Sequence, residues 1–183
     1  YWISSEGGAI TESQQTLAQV SLTPKQVGAY TDMSHKLMIQ SSMDMENFVR
    51  NDLALTLAIA MDLAAINGSG SSGQPTGVLQ TSGIGSVAGG TNGLAPTYSH
   101  MVNLEKEVSK DNALLGSLGY LTNADVVAKL KTTEKASNTA QFIWENGSGG
   151  MGSVNGYRAA VSNQVPNNLT KGSSSGVCSA IIF

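Results

Sequence analysis

An α+β fold is predicted by three features of the sequence. A stretch of 22 residues, 45–66, carries apolar residues at three-and-four spacing and holds neither Gly nor Pro. The second half of the chain carries short apolar pieces separated by Gly, Asn and Pro turn signals. No internal repeat is visible, so a solenoid is not expected. At 183 residues the chain is long enough for one large domain or two small ones, with a core that needs no disulfide.

The elements follow in chain order. Residues 1–12 are small and polar and read as an extended arm or loop end. Residues 13–31 place Leu17, Val20 and Leu22 among polar residues, then Pro24, then Val27, Ala29 and Tyr30, which predicts two short strands around a proline break. Asp32 or Ser34 caps a short helix to about Gln40, with Met33, Leu37 and Met38 on one face. Asp44 caps the long helix. One of its faces carries Met45, Phe48, Val49, Leu53, Leu57, Ala60, Met61 and Ala64, and Leu55, Ile59, Leu63 and Ile66 cover the other side. A helix apolar all round is expected to be buried on both sides, here as a strut roughly 30 Å long that stops at Asn67-Gly68.

Residues 67–96 are rich in Gly, Ser and Thr and read as a long connector. Thr97 caps a helix to about Lys110. Gly119-Tyr120-Leu121 is a short strand, and Thr122 or Asn123 opens a helix carrying Val126, Val127 and Leu130. Residues 132–140 read as loose, 141–144 as a strand and 147–152 as a Gly-rich turn. Asn155-Gly156 signals a tight hairpin turn before a strand at 157–162. Residues 167–176 read as a polar loop, and 177–183 as a buried strand.

Composition excludes several functions. Charged residues are only 13 % of the chain and the net charge is −3. No basic stripe of the kind that binds a duplex is present; Lys129 and Lys131 are the nearest approach and Glu134 follows them. A low-charge surface resists self-association weakly, which suits a protein that packs against its own copies. Cys178 is the single cysteine, so there is no internal disulfide, and its apolar setting reads as packing. The longest apolar run, 53–61, is far short of the ~20 residues a bilayer span needs, and no leader is read at the start, so a soluble protein is expected.

The chemical motifs fail their context tests. Gly68-x-Gly70-x-x-Gly73 follows a helix and runs into Pro75, whereas a dinucleotide loop follows a strand and opens a helix. Gly147-x-Gly149-x-x-Gly152 has no helix after it. Lys171 is followed by Gly172, so no phosphate-binding loop of the Walker type forms. The two histidines, His35 and His100, have no partner pattern for general-base or zinc chemistry. Glu105 and Glu107 lie two apart on a helix and face apart. Asp44 and Glu46 suit a helix start. Asn67, Asn146 and Asn168 match the glycosylation pattern but read as turn residues. Seven Met residues, several between 33 and 61, read as core packing rather than as a soft binding groove. The sparse aromatics are not interleaved with basic residues, so no single-strand stacking platform is read. No catalytic, cofactor-binding or metal-ligating residue is assigned.

An ordered series of segments resembles the central part of HK97-type tailed-phage major capsid proteins. It begins with Ser13, Thr16, Leu17, Val20, Leu22 and Thr23-Pro24-Lys25, and continues with Met33-Ser34 and Leu37. Asp44-Met45-Glu46, Phe48-Val49-Arg50 and Asp52-Leu53-Ala54 resemble the start of the family's long spine helix. Asn67-Gly68-Ser69-Gly70 and Gln74-Pro75-Thr76-Gly77-Val78-Leu79 resemble the signature at its end. Tyr120-Leu121-Thr122-Asn123, Asn155-Gly156-Tyr157-Arg158-Ala159-Ala160-Val161-Ser162-Asn163, Val165-Pro166 and Ala180-Ile181-Ile182-Phe183 resemble axial-domain strands.

The resemblance implies an HK97-like fold: an extended-loop remnant (1–16), a peripheral domain with an antiparallel sheet and the spine helix (17–80), and a mixed α/β axial domain (81–183) whose sheet is incomplete at the C-terminus. It implies a non-enzymatic subunit that assembles into hexamers and pentamers around double-stranded DNA, located in the virion and, during assembly, in the host cytoplasm. Further partners implied are a scaffold segment, a prohead protease and a portal, with no membrane. The family's N-terminal arm and final section are not matched, so the chain is expected to be a piece that assembles poorly alone. Some family members crosslink through a loop Lys; none occurs between Tyr1 and Pro24, so covalent linkage is not expected. Two other readings stand beside this one. One is an encapsulin-type cellular compartment of the same fold. The other is a small-ligand module using the 67–96 loop, which would need a pocket with converging polar groups.

Overall fold

The structure, a computed structural model, describes residues 13–17, 19, 21–41, 44–147 and 151–183. The arm read at 1–12 and the middle of the 147–152 turn lie outside the described residues. The mixed α/β class is as expected, but its core occupies only part of the chain.

The N-terminal part is helical and open. Helix α1 spans His35–Gln40 after Ser34, whose side chain makes no capping bond. Helix α2 spans Met45–Asn67, and the Asp44 carboxylate accepts the Asn47 amide, removing one unpaired donor at the helix start. Glu46 and Arg50 form an exposed pair one turn apart. The predicted bounds hold within a residue. The predicted burial does not: among the residues of α2 only Ile66 is buried. The two strands expected within 13–31 are also absent among the described residues, which are exposed and form no regular element. Both corrections have one cause. An apolar period reports what a segment can bury, and among the described elements only the short turn at residues 78–80 packs substantially on α2.

At the end of α2 the backbone closes on itself. The helix stops at Asn67-Gly68 as expected, with Gly68 at φ −59° rather than in the left-handed region. Gly68 is there because a Cβ would lie 2.2 Å from the Pro75 carbonyl oxygen. Gly77 donates to the Gly68 carbonyl at 2.9 Å, and Ser69 bridges to Thr76, so residues 68–77 form a compact loop. A single 3-10 turn, Val78–Gln80, packs against α2.

The core forms from residue 98 onward. Helices α3 (Tyr98–Lys110) and α4 (Ala124–Thr132) accompany a five-stranded mixed sheet. Its strands are β1 (Gly119–Thr122), β2 (Glu145–Asn146), β3 (Gly152–Val154), β4 (Tyr157–Val161) and β7 (Ile181–Ile182), in the order β2-β3-β4-β1-β7. β1 and β4 are parallel, which requires the crossover through α4; the other neighbours are antiparallel. Asn155 (φ 52°) and Gly156 (φ 80°) make the predicted tight turn, with the two left-handed residues that its twist demands. Met101, Tyr120, Val126, Val127, Leu130, Ile143, Trp144, Val154 and Ala159 make one buried cluster. Asn123 caps α4 by accepting the Val126 amide at 3.0 Å.

Three further expectations shift. The strand read at 141–144 forms later, at β2, while Phe142 makes an isolated bridge to Glu134. The polar loop at 167–176 is a hairpin, β5 (Leu169–Lys171) with β6 (Ser174–Cys178). Its backbone pairs with itself, so it needs no apolar period to form. The buried strand at 177–183 is divided between β6 and β7 and is half-buried, with Val177 exposed.

Candidate functional site

The chemistry-bearing residues are distributed through the fold and occupied locally. His35 begins α1 on the surface. His100 closes a capping box: its Nδ1 accepts the Thr97 amide at 3.1 Å. Glu105 and Glu107 face apart as expected. Glu107 accepts from Lys110 at 2.9 Å, and that bond holds its carboxyl below the usual range. The Gly68 loop follows a helix, and its glycines close the backbone. Among the described residues no group of three or more His, Cys, Asp or Glu is placed to hold a metal ion, and no helix is long and apolar enough to cross a membrane.

One polar network joins α3 to the β3–β4 turn. The Tyr98 hydroxyl donates to Asn155 Oδ1 at 2.8 Å, Asn155 Nδ2 donates to Glu105 Oε2, and the Tyr157 hydroxyl donates to Glu105 Oε1 at 3.0 Å. The bond to Glu105 favours the protonated phenol and raises the Tyr157 pKa. Beneath it Tyr120, stacked near Phe183 and Tyr157, donates to the Met101 carbonyl at 2.9 Å. These groups satisfy one another, and no reactive atom is left facing solvent. The network is a brace for the hairpin. Sequence reasoning found the Asn155 turn but not the brace, whose partners lie 50 or more residues away.

The sheet also has an open side. By strand alternation and register, Tyr120 and Ala159 face the core, while Leu121, Arg158 and Ala160 face away. With Met151 and Ser117 they line a shallow trough of about 380 Å³. Its one charged group, Arg158, is engaged with Ser117 Oγ at 3.1 Å. The trough lies on the sheet, not at the 67–96 loop, and it does not gather converging polar groups.

The largest feature is apolar. Leu22 (91 % exposed), Tyr30, Ile39 and, on α2, Phe48, Leu55 (60 %) and Ile59 stand in solvent. Between Asp52 and Asp62 the helix has no charge to interrupt this surface. Met38 and Met61 are exposed too, so these two methionines are not core residues within the chain. Large apolar residues left exposed along one helix are the kind of surface that marks an interaction site.

The comparisons with known proteins point the same way. The chain matches the phage capsid family over residues 1–183. It is also 32 % identical over 165 residues to the major capsid protein of Halomonas phage phiHAP-1, an overlap covering 90 % of this chain and 26 % of that protein. The chain thus spans about a quarter of the length of the curated relative it matches. Its low charge, its uncovered apolar helix and a family match along its entire length agree, and the chain belongs to the phage capsid family.

Proposed function

We propose that this chain is part of a structural subunit of a phage or prophage shell, which self-assembles into hexamers and pentamers around double-stranded DNA. One observation carries the reading furthest. The chain exposes 13464 Å², whereas a folded monomer of 18.9 kDa exposes roughly 8,300 Å². The excess means that the chain does not cover its own surface as a compact monomer does. Much of the exposed apolar surface belongs to α1, α2 and residues 13–33, the region that the core leaves uncovered.

The finer architecture fits an HK97-like subunit. Residues 17–80 make a peripheral domain with α2 as its spine, and 81–183 an axial domain, with 1–16 remaining from an extended loop. A spine stripped of its neighbours exposes apolar residues on several sides, as α2 does. The role is mechanical rather than catalytic. The place of action is the virion, and assembly proceeds in the host cytoplasm with scaffold, prohead protease and portal as partners.

Electron microscopy of the full-length protein tests the proposal. Closed shells that hold DNA when recovered from infected cells are expected. A protein that stays monomeric through all assembly conditions defeats it, and shells carrying an enzyme cargo in place of DNA would move the reading to a cellular compartment. The fragment 1–183 alone is expected to form no regular shells.

A further inference from the structure

Four asparagines in this chain precede a glycine: Asn67, Asn92, Asn146 and Asn155. An Asn-Gly pair converts spontaneously when the glycine amide nitrogen attacks the asparagine side-chain carbonyl, because glycine has no side chain to obstruct the approach. The structure restrains three of the four. The Gly68 amide is held by the Ala64 carbonyl at 2.9 Å, and the Gly147 amide by the Met151 carbonyl at 3.0 Å. Asn155 is held at both ends of its own side chain, by Tyr98 and by Glu105.

Asn92–Gly93 is held at one side-chain atom only, the oxygen. The Gly93 amide donates to no described residue, and Asn92 is exposed. The Ser173 amide donates to Asn92 Oδ1 at 3.0 Å. That bond draws electrons from the side-chain carbonyl, and it lies where the oxyanion of an attack would develop. Gly172 leaves room for the same oxygen: a Cβ there would come within 2.2 Å of Asn92 Oδ1. So the amide that is most open to attack is also the clamp that fastens the tip of the β5–β6 hairpin to the 67–96 connector.

We propose that Asn92–Gly93 is the chain's principal site of spontaneous succinimide formation, and that its conversion to isoaspartate releases the hairpin. The Gly93 nitrogen loses its proton and bonds to Asn92 Cγ. The Cγ–Nδ2 bond breaks and the nitrogen leaves as ammonia. Water then opens the five-membered ring, giving aspartate or isoaspartate. Isoaspartate carries a methylene moved from side chain into backbone, so its carboxylate no longer meets the Ser173 amide in the same geometry. The device is a one-way clock on one hairpin, and it stands independently of the shell reading.

Site-resolved peptide mapping of the full-length native protein, aged at mildly alkaline pH beside a urea-denatured sample, tests the chemistry. Asn92 is expected to convert several-fold faster than Asn67, Asn146 and Asn155 in the native protein, and at about their rate in urea. Equal native rates, or another pair leading, overturn the proposal. Hydrogen exchange reads the consequence. Aged protein is expected to lose protection at Ser173 and across the hairpin, whereas Asn92→Asp, which keeps an acceptor in place, retains it. Unchanged protection in fully converted protein overturns the release step.

Discussion

Tyr120 shows how much one buried polar group contributes. Its ring is 3 % exposed and its hydroxyl has found a carbonyl, so burial pushes its pKa up to about 12 from 10.0. The unfolded chain therefore loses this proton first. The stabilising contribution is complete below pH 10 and is lost as pH rises through about 12. Tyr120→Phe is expected to cost about 1 kcal/mol at neutral pH, from the lost hydrogen bond. It should also flatten the fall in stability across that alkaline window, as read from unfolding midpoints against pH. Gly152 is a steric case. A Cβ would lie 2.1 Å from the buried Trp144 ring, in a strand whose pairing with Ala159 fixes the backbone. Gly152→Ala should destabilise by about 1–3 kcal/mol, seen as a lower urea midpoint. A cap at Thr122 or Asn123 was legible from sequence because capping is local, and the structure gives the role to Asn123. Gly152 was not, because the ring that needs the space comes from outside its strand.

Among the elements, α2 is the one whose ends and interior obey different rules. Its ends follow local chemistry, so Asp44 and the break at Gly68 were readable within a residue. Its faces follow whatever is brought against them. Leu55 is largely exposed, and Leu and Lys differ little in helix propensity. Leu55→Lys is therefore expected to change the stability of the isolated chain by less than about 0.5 kcal/mol. In the full-length protein the same change should block shell formation, because the proposed interface would then bury an unpaired charge. Assembly that continues unchanged, judged by sedimentation, would remove this face from the interface. The β5–β6 hairpin gave no apolar period and was read as loop. Its pairing is a backbone property, with Asn92 holding its tip.

At the scale of the molecule, stability is unevenly distributed. The cluster from Met101 to Ala159 is continuous, and none of the described residues of 13–33 belongs to it. Limited proteolysis of the isolated chain should therefore cut within 13–33 well before the 98–183 unit, with the resistant product identified by mass.

The sequence by itself determined the mixed α/β class, the helices with the caps of α2, α3 and α4, and the Asn155-Gly156 turn. Each depends on residues within a few positions of one another. The same holds for the absence of any motif in the right context for catalysis. Tertiary structure decided the parallel pairing of β1 with β4, the Glu105 brace and the uncovered state of α2. Those depend on which distant surfaces meet. An apolar period states that a face can be buried without saying whether its cover is the same chain or a neighbour.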